Sequence, residues 1–77
     1  MKVKVFVPAF INQDKVDSEG CVVLNDDAKM RDLYKYLKLP LPLRLSILFS
    51  VNYEQAKWNT PLKDGDVVTF LFPINGG

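Results

Sequence analysis

The chain has 77 residues, 48% apolar and 25% charged, a composition typical of one small globular domain and not of a disordered segment. Ten Lys and Arg against nine Asp and Glu give a formal net charge of +1, which argues against nucleic acid or an anionic membrane as a partner. With no histidine and one cysteine, the chain lacks the commonest general base and any internal disulfide. We therefore expect a reducing compartment, most simply the cytoplasm.

Two strands are predicted before the first helix. Residues 1–7 alternate with period two, with three valines on one face, which is the pattern of a half-buried strand. Lys2 and Lys4 interrupt this run, so it resembles neither a signal peptide nor a membrane span. The short run Cys21–Leu24 is predicted to be the second strand of a hairpin. Cys21 is interpreted as a small apolar strand residue, because no base is identifiable near it.

One helix is predicted over Ala28–Leu39, because four apolar residues recur there at helical spacing. This apolar stripe consists of Met30, Leu33, Tyr34 and Leu37. The preceding Asn25–Asp27 is a helix-start signal, since Asn and Asp side chains accept hydrogen bonds from the unpaired amides of a first turn. Pro40 and Pro42 end the helix.

Three further strands are predicted in the second half. Leu43–Val51 alternates, with Leu45, Ile47 and Phe49 on the inner face, and a short strand is expected around Gln55–Lys57. Asp64-Gly65-Asp66 is a turn signal with solvated carboxylates, and Val67–Phe72 forms the last strand, with Phe72 on the inner face. One helix with a single apolar stripe covers one face of one sheet, which predicts a two-layer α+β domain.

The end of the chain carries the most specific pattern. Leu62-Lys63-Asp64-Gly65-Asp66 leads into a strand, a proline and a final Gly76-Gly77. With the preceding order of elements, this resembles the MoaD/ThiS family of ubiquitin-like sulfur carriers over essentially the whole chain. The resemblance implies a β-grasp domain over residues 1–72, with a mixed sheet of four to five strands on one main helix. It also implies that the first and last strands are adjacent and that residues 73–77 form a flexible tail.

The resemblance further implies that Gly77 is the functional residue, adenylated at its carboxylate and then converted to a thiocarboxylate. An ionised carboxylate is a poor electrophile, and the chain has no phosphate-cradling glycine loop. A partner must therefore use the ATP, and the resemblance implies that this partner is a ubiquitin-activating-type adenylating enzyme. We expect this chain to bind no cofactor and to catalyse nothing alone. Gly76 lets the backbone pass where a Cβ would clash, and Pro73 stiffens the base of the tail.

A docking face is predicted on the side of the sheet away from the helix. Scattered apolar surface residues are normal, but a contiguous apolar patch beside the tail indicates a docking surface, and the resemblance implies that partner enzymes dock there. The residues assigned to docking are Phe6, Leu48, Val67, Leu71, Pro73 and Ile74.

The apolar run before the terminal glycines looks most like the MoaD pattern, with phenylalanine and proline preceding the tail. The resemblance then implies the small subunit of molybdopterin synthase, which inserts its thiocarboxylate into a larger catalytic subunit. Four alternatives remain: a ThiS-like carrier for thiamine thiazole synthesis, a carrier for cysteine or tungsten-cofactor synthesis, a protein modifier conjugated through Gly77, and a β-grasp adaptor with an inert tail. No metal site is expected.

Overall fold

The computed structural model describes residues 1–7 and 14–71. The described elements are β1 (Lys2–Phe6), β2 (Cys21–Val23), α1 (Met30–Tyr36), a 3-10 helix (Leu41–Leu45), β3 (Leu48–Val51), β4 (Glu54–Ala56) and β5 (Val67–Leu71). The strands form one sheet in the order β2-β1-β5-β3-β4. β1 pairs with β5 in parallel, whereas the other neighbours are antiparallel. The first and last described strands are therefore side by side in a mixed sheet, as the resemblance implied.

The inner face of the sheet packs against α1 around one buried tyrosine. The ring of Tyr34 makes edge contacts with Phe49 and Phe70 at centroid distances of 6.0 and 6.1 Å and with Trp58 at 5.2 Å. Its hydroxyl donates a hydrogen bond to the carbonyl oxygen of Pro40, and burial raises the pKa of this phenol above its ordinary value. The predicted helix stripe is confirmed, because all four of its residues are buried.

The helix is shorter than predicted, and its start signal is wrong. The N-cap residue is Lys29, whose backbone N–H donates to the Asp32 carboxylate at 2.8 Å. Lys29 forms a β-bridge with Pro61, and this pairing holds the chain extended where the sequence predicted helix. Asp26 does not cap a helix, since its carboxylate lies 3.0 Å from the Met1 amino group. At the other end, Lys38 adopts φ +58°, a left-handed conformation that ends helices.

The single strand predicted over Leu43–Val51 is wrong in its first half. Residues 41–45 form the 3-10 helix, and only Leu48–Val51 pairs in the sheet. Ile47 and Phe49 are buried as predicted, but Leu45 is 84% exposed. The 3-10 turn breaks the period-two alternation, so residues before it do not continue the inward face of the strand. No helix within the described residues has the length and apolar character needed to cross a membrane.

A buried carboxylate fixes the start of β5. Asp66 is only 8% exposed, so the prediction that it is solvated is wrong. Its two oxygens accept hydrogen bonds from the Asn52 side-chain amide at 3.0 Å and the Lys63 backbone N–H at 2.8 Å. The Asn52 amide oxygen in turn accepts from the backbone N–H of Val67 at 3.0 Å. The predicted turn is confirmed, with Gly65 at φ +86°.

Asn52→Ala should lower the free energy of unfolding by about 2–3 kcal/mol, because it leaves the buried Asp66 carboxylate without one donor. The alanine would also occupy φ +53°, a left-handed conformation that asparagine tolerates better. Urea denaturation measures the change. Gln55→Ala, on the exposed part of β4, is the control and should cost less than about 0.5 kcal/mol. A midpoint for Asn52→Ala equal to that of the control would show that this network does not stabilise the fold.

Candidate docking face at the root of the tail

Three strands meet where the chain enters its last residues. β5 is the central strand of the sheet, and its described part ends at Leu71. β1 runs parallel to β5 and ends at Phe6, which lies opposite Thr69. β3 runs antiparallel and begins at Leu48, which lies opposite Leu71. The end of β1, the start of β3 and the end of β5 therefore lie at one end of the sheet, from which the chain continues into residues 72–77.

Phe6, Leu48 and Leu71 are all exposed at this end, and together they form what we call the apolar cluster. Their exposed fractions are 47%, 52% and 53%, and a buried residue precedes or follows each one along its strand. All three thus project from the sheet face that α1 does not cover. Side chains directly opposite on antiparallel strands are about 5 Å apart at Cβ, so Leu48 and Leu71 form one continuous surface. The predicted exposure of these three residues is confirmed.

Val67 lies at the other end of β5 from Leu71. It pairs with Lys4 in the middle of β1, and it is half-buried. Val67 and Leu71 are on either side of Thr69, which lies opposite Phe6, so the outward face places Val67 beside Phe6 but away from Leu48 and Leu71. Pro73, Ile74, Gly76 and Gly77 lie outside the described residues, as does Phe72, and their assigned roles stay predictions.

The sequence prediction missed two exposed leucines beside the apolar cluster. Leu41 and Leu45, in the 3-10 helix that leads into β3, are 48% and 84% exposed. Because β3 starts at the tail end of the sheet, this helix also lies at that end. Pro42 was the available signal, since proline is disfavoured inside a strand but fits the first turn of a helix.

The charge of the outward face is carried by β1. Among the outward-facing residues of the five described strands, only Lys2 and Lys4 are charged. The Nζ of Lys4 lies 5.5 Å from the centroid of the Phe6 ring, within the range of a cation–π interaction. The charge of Lys2 acts on a carboxylate: the pKa of Asp17 is lowered, chiefly by the hydrogen bond from the Cys21 backbone N–H and also by the charge of Lys2.

Cys21 occupies the β2 edge of this face and is partly exposed. Its backbone N–H and carbonyl are both engaged by Asp17, through a side-chain oxygen at 2.8 Å and a backbone N–H at 2.9 Å. This contact covers part of an otherwise open strand edge and so protects it from pairing with another chain. Within residues 1–7 and 14–71, no group of three or more Cys, Asp or Glu side chains could hold a metal ion.

A cavity among the described residues lies away from the docking face. It is a groove of about 540 Å³ beside the start of α1, and its lining includes Asn25, Asp27, Arg31 and Asp32. Asp32 already accepts the hydrogen bond from Lys29 at the helix start. The groove is therefore lined in part by a carboxylate that already takes part in capping the start of α1.

Comparison with known proteins agrees with this architecture. The family model described as ThiS family matches residues 9–77. Two solved structures are similar over 100% of both chains at 20% identity: SAMP1 from Haloferax volcanii, with a TM-score of 0.72, and the thiamine biosynthesis protein (ThiS) from Geobacter metallireducens, with a TM-score of 0.67. No curated protein matches the sequence significantly. The structural likeness shows the ubiquitin-like β-grasp fold, and since the family model covers most of the chain, this protein belongs to the ThiS family of ubiquitin-like sulfur carriers.

Proposed function

We propose that this protein carries sulfur on the carboxylate of Gly77 as the small subunit of a molybdopterin synthase. A partner enzyme adenylates Gly77, and a sulfur nucleophile displaces AMP to leave a thiocarboxylate. The carrier then places this group in a larger catalytic subunit, where the sulfur passes to a pterin precursor. Gly76 provides clearance for the backbone on the way into both active sites.

The observation that carries the proposal is the position of the tail root. Leu71 ends the described part of the central strand, and Phe6 and Leu48 flank it with exposed apolar surface. A partner that covers this surface is therefore held directly beside the segment that ends in Gly77. Five residues beyond Phe72 extend at most about 17 Å, enough to reach a buried active site from a docked domain.

The chain offers reasons to place the activating chemistry on a partner. It contains no histidine, and a carboxylate becomes an electrophile only when it acquires a leaving group. A mixed anhydride with AMP supplies that leaving group, and ATP is its source. Members of the ThiS family work with adenylating enzymes in this way, and we assign the same class of partner to this chain.

A carrier role in thiamine thiazole synthesis is the second candidate. It is favoured by the similarity to the thiamine biosynthesis protein from Geobacter metallireducens, whereas the run Phe70–Ile74 resembles the MoaD pattern. Deleting the gene separates the two pathways. Loss of molybdenum-enzyme activity without a thiamine requirement is expected, and a thiamine requirement alone would instead support the second candidate.

Intact-mass analysis of the protein purified from its own cells tests the carrier role. An increase of the intact mass that corresponds to the exchange of one oxygen for one sulfur is the expected result. A ladder of conjugates to other proteins would instead make the chain a protein modifier. The native mass alone, in cells that are actively making the cofactor, would favour an adaptor with an inert tail.

Leu71→Glu or Leu48→Glu should weaken binding to the adenylating enzyme at least tenfold, which corresponds to about 1.4 kcal/mol. Each change places an unpaired charge at the centre of the proposed interface, where water is excluded. Both side chains are about half exposed, so the fold should survive. Tyr36→Glu, on the exposed side of α1, is the matched control. Titration calorimetry measures the affinities, and unchanged binding by both folded variants would remove the apolar cluster from the interface.

A further inference from the structure

Lys4 is the charged residue most closely associated with the apolar cluster. It lies in β1 between Cys21 of β2 and Val67 of β5, and its Nζ stands 5.5 Å from the centroid of the Phe6 ring. Within residues 1–7 and 14–71, the ion pair found joins the Met1 amino group to Asp26, and none is found at Lys4. The Lys4 ammonium therefore has no carboxylate partner among those residues.

A partner that covers Phe6 also covers Lys4. The ammonium and the ring are within cation–π range, so an apolar surface placed on the ring removes water from the ammonium as well. Desolvating an unpaired charge is strongly unfavourable. Tight docking on the apolar cluster therefore requires an anionic group opposite Lys4, and a carboxylate is the anion that a protein surface supplies.

The charges on the outward face also indicate which kind of partner binds there. A second copy of this chain would bring two Lys2–Lys4 pairs to one interface, and the outward strand residues of the described sheet offer no carboxylate to meet them. Nucleic acid would need a larger basic surface than two lysines in a chain of net charge +1, since its affinity depends on the number of phosphates neutralised. A protein surface with apolar and acidic parts fits both features of the face.

We propose that the adenylating partner carries a carboxylate that pairs with Lys4 when its apolar surface covers Phe6, Leu48 and Leu71. This inference rests on the proposed function and specifies the chemistry of the partner's surface. The ion pair sits on the β1 side of the apolar cluster, and β5 runs beside β1. Pairing at Lys4 thus sets the direction in which the partner lies across the sheet, and with it the direction in which residues 72–77 meet the partner's active site.

Lys4→Met tests whether the partner places a carboxylate opposite Lys4, because the change in affinity has opposite signs with and without that carboxylate. Methionine keeps an apolar stem over Phe6 and removes the charge. If a carboxylate faces Lys4, the variant leaves that carboxylate unpaired, and the dissociation constant should rise about tenfold or more. If no carboxylate faces Lys4, the variant removes a desolvation cost, and binding should be equal or tighter. Lys4→Arg should stay close to wild type, and Lys4→Glu should be weaker than Lys4→Met.

The probe is the adenylating enzyme from the same cells, which is identified because its ATP–pyrophosphate exchange depends on this full chain. Its affinity for each variant is measured by titration calorimetry at low and high salt. The loss of affinity caused by Lys4→Met should become smaller as the salt concentration is raised, because salt screens the ion pair. Lys35→Met, on an exposed position of α1, changes the net charge equally and should bind as wild type. If the wild-type chain supports exchange but Lys4→Met binds the enzyme equally or more tightly, this inference alone is overturned. Absence of exchange with the wild-type chain overturns the proposed function and this inference with it.

Discussion

Adding one alanine after Gly77, or deleting Gly77, should lower the rate of adenylate formation by at least about 100-fold, because a displacement of about 1 Å already has an effect of that size. Each change moves the terminal carboxylate by about 3.5 Å along an extended chain. The reacting oxygen must lie at a fixed depth beside the α-phosphorus of ATP, so tail length matters as much as tail chemistry. ATP–pyrophosphate exchange with the adenylating enzyme measures the rate.

Gly76→Ala separates tail length from backbone clearance. It keeps the carboxylate at the native distance and adds only a Cβ, so its rate should lie between those of the native chain and the length variants. Lys35→Ala, at an exposed position of α1, should be activated as the native chain is. Full activation of the chain with the extra alanine would show that Gly77 is not the reacting residue, and the proposed carrier role would fail.

Leu33→Ala should lower the free energy of unfolding by about 2–5 kcal/mol. Leu33 is fully buried at the centre of the helix stripe, and the change removes its contacts and leaves a cavity. A domain of this size has a total stability near the lower end of the usual range of about 5–15 kcal/mol, so a large part of the variant should be unfolded without denaturant. Circular dichroism during a urea titration measures both the unfolded fraction without denaturant and the urea midpoint of unfolding.

Two controls show whether the lost stability comes from the lost packing of Leu33. Leu33→Met conserves volume and should cost less than about 1.5 kcal/mol. Removing Gly76 and Gly77 should leave the melting temperature almost unchanged, because glycine has no side chain to bury. A truncated chain that melts far below the native one would show that the terminal glycines stabilise the fold. That outcome would contradict the prediction that Gly76 and Gly77 serve function and do not stabilise the fold.

Periodicity identified the buried face of the elements that formed as predicted, but the alternation over Leu43–Val51 failed before Ile47, because residues 41–45 form a 3-10 helix. The alternation in residues 1–7 identified the buried valines of β1, and the helical spacing identified all four buried residues of the stripe. Gly65 marked its turn, because few residues other than glycine adopt φ +86° without strain. The exposed Phe6, Leu48 and Leu71 followed from the same alternation, since a strand that buries one face must expose the other.

The predictions that failed depend on contacts between segments distant in the sequence. The start of α1 is set by the pairing of Lys29 with Pro61, which no capping pattern near residue 25 reveals. Asp66 is buried because Asn52 reaches it from the turn between β3 and β4. The position of the Lys4 ammonium, 5.5 Å from the centroid of the Phe6 ring, also came only from the structure. Periodicity along the chain determines which side of an element is apolar, but only tertiary packing decides which elements meet and which polar groups are buried between them.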